Sequence, residues 1–378
     1  MDCEFEDIRP YNDDEIPAVL RRLVESPKLL SAIRKEVFPR APKQIEKFLH
    51  YLIKTYFRLK IRPIRTVEQF QHRIMRDMAF DWIAKKTING LTVSGLENLK
   101  SDPHLYVSNH RDIIFDSVLI GYVLVNNGFG IPAIAFGDNL MANEFASDLI
   151  RANKAFVVKR GLSRREKLNE AYKLSRYIWD LHQHGESVWI AQREGRAKDG
   201  DDRTNPSLIT MLYLSQREKG LSFPDFIREI KVVPVAISYE KDPCDVLKAR
   251  EMQERSENSD FEKKSEGDAK SMYLSLRKHK GRIHVAIGPV LHDGFTKERD
   301  VAAGIDQTVH RTYKLWPSNY IAYDELMDSR EYASHYTPEQ REEFLNRFRE
   351  EPQDIRRRAL AMYAQPLINK RALLTDSR

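Results

Sequence analysis

LYVSNHRDIIFDSVLI, residues 105–120, places a cluster of polar side chains between an apolar strand pattern and an apolar helix pattern. In α/β sheets, ligands bind beyond the carboxyl ends of the strands, where the next helix begins. A neutral imidazole at that place, here His110, can take a proton from a substrate hydroxyl if Asp112 or Asp116 orients the ring. The plain alternative is that Asn109 and Asp112 cap the helix and that His110 is an ordinary loop residue. This segment alone leaves both interpretations open.

The chain after residue 90 repeats this alternation of short apolar runs and amphipathic helical patterns. The predicted strands are residues 91–93, 105–107, 132–136, 155–158, 187–191, 231–238 and 282–287. The predicted helices between them are residues 113–125, 138–151, 163–183 and 207–219. The alternation predicts an α/β fold with a largely parallel sheet flanked by helices. Residues 254–269 are polar and charged, which predicts a surface loop.

The same patterns divide the chain into three predicted regions. Residues 1–90 show helical periodicity and are predicted to form an N-terminal helical subdomain. Residues 91–295 carry all the strand patterns and are predicted to form the α/β domain. Residues 296–378 are helical and charged without a strand pattern, which predicts a helical C-terminal extension.

The composition is typical of a globular protein with a charged surface, since 41% of the 378 residues are hydrophobic and 31% are charged. A net charge of +6 is compatible with phosphorylated ligands or an anionic surface. Two widely separated cysteines argue against a disulfide framework, so a cytoplasmic location is predicted. The sequence shows no secretory signal pattern and no apolar run of the roughly 18 residues that span a bilayer. We therefore predict no transmembrane segment.

Missing motifs exclude a nucleic-acid partner and several enzyme classes. The sequence has no DNA-reading motif and no basic stripe interleaved with aromatic residues. It also lacks a G-x-S-x-G serine elbow, an H-E-x-x-H pair, a cysteine cluster and a Walker-type phosphate loop. We expect no metal, no cofactor and no covalent enzyme intermediate.

Two further segments end a predicted strand with charged residues. AFVVKRG, residues 155–161, ends in Lys159 and Arg160, and cations at a strand's carboxyl end suit a phosphate group. In WIAQREGR, residues 189–196, a glycine that permits close backbone approach to a ligand lies between two charged residues. On its own, the first of these segments is better explained as two solvated charges in a turn. The acidic residues that follow the second, Asp199, Asp201 and Asp202, are better explained as a solvated turn than as a metal site.

A fourth segment, IKVVPVAISYE, covers residues 230–240 and is a strand pattern with Pro234 inside it. Proline cannot donate to a strand ladder, so we predict an edge or bulge position for this residue. Such positions are common beside binding sites.

The four segments, in this order, resemble the motifs of the glycerolipid acyltransferase family over roughly residues 91–291. This family includes glycerol-3-phosphate and lysophosphatidate acyltransferases. The resemblance implies transfer of an acyl group from acyl-CoA or acyl carrier protein to a hydroxyl of a phosphorylated glycerol. It implies that His110 is the general base and that Asp116 is its partner. It also places the remaining motif residues in substrate binding: Arg111, Lys159, Arg160, Glu194, Gly195 and Arg196.

The first motif departs from the family pattern by one residue. The family has four residues between the histidine and the aspartate, whereas five separate His110 from Asp116, and Phe115 stands where the aspartate is expected. Either Asp116 still reaches the imidazole or Asp112 has taken the role. We favour Asp116, because an apolar helix follows it as in the family.

The third motif also departs from the pattern and leaves the acceptor less certain than the reaction. Residues 191–196 read AQREGR where the family reads FPEGTR, so either Arg193 or Arg196 supplies the cation. Two alternatives therefore stand beside acyl transfer to a phosphorylated glycerol. One is a non-catalytic phosphate- or lipid-binding protein on the same fold, and the other is an acyltransferase for a non-phospholipid lyso-lipid.

Residues 43–65 combine an apolar helical side with seven cations and a single acid, Glu46. This composition suits peripheral binding to an anionic membrane surface. The alternative is a helix that packs its apolar side onto the rest of the protein. Both interpretations hold together if the cations face lipid while Phe48 and Leu52 pack inward.

Overall fold

The computed structural model describes residues 3–100, 103–141, 143–258 and 265–375. They form two compact units, one from Met1–Trp82 with Ala133–Leu162 and one from Ile83–Pro132 with Ser163–Arg378. The predicted region boundaries at residues 90 and 295 do not coincide with these limits. In particular, residues 296–378 belong to the larger unit, and strands from the predicted α/β domain belong to the smaller one.

Seven strands lie close to where the apolar runs predict them, each end within one residue of the observed one. The strands are β1 (Gly90–Ser94), β2 (Leu105–Ser108), β3 (Ala133–Gly137), β4 (Ala155–Val158), β5 (Val188–Ala191), β6 (Val232–Tyr239) and β7 (Arg282–Ile287).

The helices of the first half of the chain are α1 (Ile16–Glu25), α2 (Pro27–Val37), α3 (Glu46–Ile61), α4 (Val67–Phe70), α5 (Asp81–Thr87), α6 (Phe115–Asn126), α7 (Glu144–Ala152) and α8 (Arg164–Gln183). A π-helical stretch, Gln71–Phe80, joins α4 to α5. Those of the second half are α9 (Pro206–Glu218), α10 (Phe223–Ile230), α11 (Asp245–Glu257), α12 (Ser265–Arg277), α13 (Glu298–Thr312), α14 (Pro317–Met327), α15 (Pro338–Asn346) and α16 (Gln353–Thr375).

The larger unit contains strands in the order β1-β7-β6-β2-β5. All neighbouring pairs are parallel except β6 and β7. Every residue of β2 and β6 is buried, as expected for interior strands that helices cover on both faces. Leu105 lies opposite both Val188 and Val232, so the carboxyl ends of β2, β5 and β6 share one edge of the sheet. Strand β6 extends beyond this shared edge, because Ser108 at the end of β2 pairs with Val235.

Of the two positions predicted for Pro234, an edge or a bulge, the edge is wrong, since β6 lies between β2 and β7. The proline is tolerated because the antiparallel ladder with β7 begins one residue later, at Val235 opposite Ile287. The missing N–H therefore falls outside that ladder, while the Pro234 carbonyl accepts a hydrogen bond of 2.8 Å from the N–H of Gly288.

The loop predicted over residues 254–269 is also wrong at both ends. Helix α11 continues to Glu257 and α12 begins at Ser265, while residues 259–264 lie outside the described residues. The buried side of α12 is polar, with Asp268, Ser271 and Ser275 all buried. An apolar stripe is the signal that marks a packed helix in a sequence, and α12 has none on this side.

The C-terminal helices form a core of their own within the larger unit. Its buried residues come from α11, α14, α15, α16 and the turn after α15: Ala249, Ile321, Ala322, Phe344, Phe348, Ile355, Ala359, Leu360, Met362, Tyr363 and Ala364. Tyr363 also binds the start of α11, because its hydroxyl donates to Asp245 and accepts from the N–H of Asp242. The helical extension is thus joined to the loops that follow β6.

In the smaller unit, helices α1, α3, α4 and α7 surround an apolar core next to the parallel pair β3 and β4. The buried residues are Ile16, Val19, Leu20, Leu23, Val24, Ile61, Ile64, Phe70 and Ala152. Arg22 of α1 donates two hydrogen bonds, of 3.0 and 2.8 Å, to the two carboxylate oxygens of Asp148 in α7. Tyr11 donates a third to Asp148, at 2.6 Å.

Phe48 and Leu52 do not pack inward, so the condition under which both interpretations of residues 43–65 hold together is not met. Phe48 is 60% exposed and Leu52 is 45% exposed, whereas Leu49 and Ile53 are buried. Helix α3 has apolar residues on more than one side, so its periodicity alone does not reveal which side the core covers.

Candidate active site

The loop between β2 and α6 is held by the carboxylate of Asp112. Its Oδ1 accepts hydrogen bonds of 2.8 Å from the N–H groups of both Ile114 and Phe115, which begin helix α6. It also accepts a 2.6 Å hydrogen bond from the Ser275 hydroxyl of α12. Burial raises the pKa of Asp112, and the nearby Asp116 carboxylate raises it further. These contacts give Asp112 the role of a helix cap.

His110 is hydrogen-bonded instead to Asp116, in the first turn of α6. Its Nδ1 lies 2.8 Å from Asp116 Oδ2, and the same oxygen accepts the N–H groups of Arg111 at 2.6 Å and Asp112 at 2.9 Å. Asp116 is fully buried, while the imidazole is 15% exposed. Because a carboxylate can only accept, this geometry places the ring proton on Nδ1 and leaves the Nε2 lone pair available.

The extra residue of the first motif is accommodated where the helix begins. Phe115 is the first residue of α6, and its ring is buried with the Lys280 ammonium group 4.1 Å from its centroid. Helical side chains lean toward the N-terminus of their helix. The Asp116 carboxylate can therefore reach the loop N–H groups and His110 although it lies one position later than in the family.

Three hydrogen bonds fix the loop against β6 and the segment that follows β5. The fully buried Asn109 side chain pairs with the backbone of Ile237, with its Oδ1 accepting at 2.7 Å and its Nδ2 donating at 3.0 Å. The His110 carbonyl accepts a 2.7 Å hydrogen bond from the N–H of Ala197. The ring of Trp189 stands edge-on to the imidazole, at 6.2 Å between centroids.

Arg111, predicted to bind substrate, is buried and has other partners. Its Nη2 donates to Asp202 Oδ2 at 2.6 Å and to the Gly200 carbonyl at 3.0 Å, and its Nε donates to the same Asp202 oxygen at 3.2 Å. The acidic turn over residues 199–202 is therefore not fully solvated, contrary to the sequence interpretation, because Asp202 is buried with this arginine. These contacts favour a structural role for Arg111.

The third motif follows β5 in a turn that requires glycine. Gly195 has φ +72°, and the space beyond its Cα is open, so the backbone conformation is what favours glycine here. Glu194 is exposed and Arg193 is half-buried. Arg196 is buried against α12, where its Nη2 donates to the Ser271 hydroxyl at 3.1 Å and lies 3.5 Å from Asp268. Its Nη1 is buried and has no hydrogen-bond partner among the described residues.

The second motif belongs to the smaller unit, at the end of β4. Lys159 forms an ion pair with Asp7 at 2.5 Å. Arg160 is exposed, and its backbone N–H donates to Asp138 Oδ1 at 3.2 Å. Its guanidinium lies against Gly137, where an added Cβ would come within 2.8 Å of Arg160 Nε. Glycine at 137 thus makes room for the arginine.

Sequence reasoning gave no role to Tyr239, although it ends the fourth motif. Its buried hydroxyl donates a 2.7 Å hydrogen bond to Asp116 Oδ1. Burial and the Asp116 carboxylate raise the pKa of Tyr239 well above its usual range, so the hydroxyl stays protonated. Within the described residues, no group of three or more His, Cys, Asp or Glu side chains could hold a metal ion.

The comparisons with known proteins agree with the motifs. Residues 90–238 match the model of the Acyltransferase family. The chain is similar to glycerol-3-phosphate acyltransferases from Glaesserella parasuis (27% identity, 59% of this chain and 26% of the relative) and Haemophilus ducreyi (25% identity, 60% and 27%). The relative from Pseudomonas paraeruginosa is 27% identical over 59% of this chain and 26% of its own length. The chain thus spans about a quarter of the length of these curated relatives.

Among solved structures, the chain is similar to the 1-acyl-sn-glycerophosphate (LPA) acyltransferase PlsC from Thermotoga maritima. The TM-score is 0.39 with 16% sequence identity, over 78% of this chain and 92% of that one. The region that matches the family model contains the first three motifs and the fourth up to Ser238. Over residues 90–238, this chain is therefore similar to the Acyltransferase family.

Proposed function

We propose that this protein is an O-acyltransferase that moves a fatty acyl group from an acyl thioester to a hydroxyl of glycerol 3-phosphate or lysophosphatidate. The observation that carries the proposal is the hydrogen bond between His110 and Asp116, at the carboxyl edge of the sheet in the region that is similar to the Acyltransferase family. A partly exposed imidazole and a buried carboxylate behind it are what a general base requires.

In the proposed reaction, His110 Nε2 takes the proton of the acceptor hydroxyl while the hydroxyl oxygen attacks the thioester carbonyl carbon. The new C–O bond gives a tetrahedral intermediate, whose collapse breaks the C–S bond. The imidazolium then returns the proton to the leaving thiolate. The Asp116 carboxylate holds the ring and stabilises its positive charge between the two proton transfers. No acyl group is attached to the protein in this scheme.

The exposed Arg160 is our candidate for the acceptor phosphate, because a guanidinium can bind two phosphate oxygens at once. Lys159, Glu194, Gly195 and Arg196 remain proposed contributors to substrate binding, with acyl-CoA or acyl carrier protein as donor. The names of the curated relatives favour glycerol 3-phosphate as acceptor.

An assay of the purified protein tests this proposal. Labelled acyl-CoA or acyl carrier protein is offered with glycerol 3-phosphate, lysophosphatidate and an uncharged lyso-lipid in parallel. We expect acylation of a phosphorylated acceptor and none of the uncharged one. Product from the uncharged lyso-lipid alone would favour the non-phospholipid alternative. No product from any pair would favour a non-catalytic binding protein.

Arg160→Ala is expected to raise the KM of the phosphorylated acceptor about 10- to 100-fold while kcat changes little. A positioning contact of this kind acts on the ground and transition states alike, and a charge-assisted hydrogen bond contributes about 1.5–3 kcal/mol. The matched control is Arg357→Ala, which removes an exposed arginine of α16. A raised KM for the acyl donor instead would assign Arg160 to the phosphates of the carrier.

We also propose that the protein binds an anionic membrane surface through α3. None of the helices in the described parts of the chain is long and apolar enough to cross a membrane. The outer side of α3 is apolar, with exposed Phe48, Tyr51, Leu52, Tyr56 and Leu59. Lys54 and Arg58 are within ion-pair distance of Glu25, so part of the helix's charge is already compensated. Apolar contact therefore carries more of this binding than the cations do.

Phe48→Ser with Leu59→Ser is expected to reduce binding to anionic vesicles about 100-fold. Burying one such side chain contributes about 1.5–3 kcal/mol, so two account for at least this factor. The measurement is vesicle co-sedimentation, with activity on soluble short-chain substrates expected to be unchanged. Leu168→Ser is the matched control, since Leu168 on α8 is 62% exposed.

Replacing Lys47, Lys54 and Arg58 with Gln should have a smaller effect on vesicle binding that disappears at 1 M salt. Unchanged binding of the double serine variant would leave α3 a structural helix.

A further inference from the structure

The Asp116 carboxylate has two oxygens with separate partners. Oδ2 faces His110 and two backbone N–H groups, whereas Oδ1 accepts a hydrogen bond from Tyr239. Both Asp116 and Tyr239 are buried, at 0% and 4% exposure. A buried carboxylate oxygen without a donor is costly, so the phenol hydroxyl determines which way this oxygen points.

The position of Tyr239 along β6 is fixed by contacts on both sides of the strand. The Asn109 side chain pairs with both backbone groups of Ile237, two residues earlier in β6. On the other side, Tyr239 is in register with Ile283 of the antiparallel β7. The strand cannot shift without breaking these bonds, so the hydroxyl lies at a fixed distance from the start of α6.

We propose that Tyr239 is a positioning residue, which holds the Asp116 carboxylate in the orientation that keeps His110 ready to act as a base. This inference rests on the proposed function of His110. Tyr239 does not touch the reacting atoms, since it acts through Asp116. Without its hydroxyl, the carboxylate is free to rotate toward other donors, and the bond to His110 Nδ1 loses its alignment.

Tyr239→Phe is expected to lower kcat roughly 10- to 100-fold, the factor that corresponds to one hydrogen bond to a charged group. The KM of both substrates should stay within about twofold, because binding groups are untouched. A purely structural role would lower the amount of folded protein but leave kcat per folded molecule unchanged. Urea unfolding therefore measures how much of each variant is folded. Tyr239→Met, which fills the space with a flexible apolar side chain, is the second variant.

Tyr363→Phe is the matched control. Tyr363 is equally buried, and its hydroxyl donates a 3.0 Å hydrogen bond to the Asp245 carboxylate. Loss of this bond is expected to affect stability but not kcat. An equal fall of kcat in the control and in Tyr239→Phe would overturn the proposal.

A double-mutant cycle with Asp116→Asn gives the sharper test. If Tyr239 acts through Asp116, adding Tyr239→Phe to Asp116→Asn should cause no further loss of kcat, because the group being positioned is already gone. Losses that multiply would show that the tyrosine acts independently and would overturn the inference. Failure of the proposed function has a different signature, because the wild-type protein would then form no product with any donor and acceptor.

Discussion

His110→Ala is expected to reduce acyl transfer at least 100-fold, and up to about 10⁴-fold, with the fold intact. General-base catalysis by a positioned side chain contributes a factor of this size. The fold should persist because the imidazole is at the edge of the buried cluster, and Asp116 Oδ2 keeps its two backbone donors when the ring is removed. The measurement is kcat with acyl-CoA or acyl carrier protein and the preferred acceptor, together with thermal unfolding.

The matched control for this variant is His184→Ala. The His184 side chain is 67% exposed at the end of α8, so its loss should leave both activity and stability unchanged. Near-complete activity of His110→Ala, with the control equally active, would remove the histidine from the mechanism. Acyl transfer would then need another base.

Much of the fold follows from local patterns that the sequence displays openly. Strands β2 and β6 are continuous apolar runs, and buried parallel strands have this composition because helices cover both faces. Sequence patterns failed where the deciding contact is distant or polar. Tyr239 is 123 positions from Asp116 in the sequence, and Ser275 is 163 positions from Asp112, so no local spacing predicts either hydrogen bond.

Two other differences between the sequence predictions and the structure have the same origin. Helix α12 packs through polar residues toward Arg196 and Asp112, so its composition is typical of a loop although its environment is buried. In α3, apolar residues face both the core and the solvent, and the choice between Leu49 and Phe48 depends on neighbouring helices. The sequence predicts which types of residue form the candidate site, but it does not predict their hydrogen-bond partners.

Asp116→Asn is expected to reduce turnover by a factor between about 10² and 10⁴, whereas Asp112→Asn should change it less than tenfold. Of the two aspartates, only Asp116 contacts the imidazole. An amide in its place cannot balance the charge of the imidazolium. Asparagine at 112 can still accept the N–H groups of Ile114 and Phe115, because it is as good a cap as aspartate. The reverse order of the two losses would show that Asp112 is the partner of His110.

At neutral pH, Asp112→Asn is expected to have a higher free energy of unfolding than the wild type. Burial raises the pKa of Asp112 above its ordinary value of 3.8, and the Asp116 carboxylate adds to this, although hydrogen bonds from Phe115, Ser275 and Ile114 offset part of it. The folded protein therefore holds this proton more tightly than the unfolded chain, and stability is lost as pH rises from 3.8 through the raised pKa. Asparagine carries no such cost, so the difference in the free energy of unfolding should be largest at pH 7. It should narrow toward pH 4, because the wild-type carboxyl takes up its proton as pH falls through the raised pKa. A difference that urea unfolding finds constant between these two pH values would mean that Asp112 is ionised throughout.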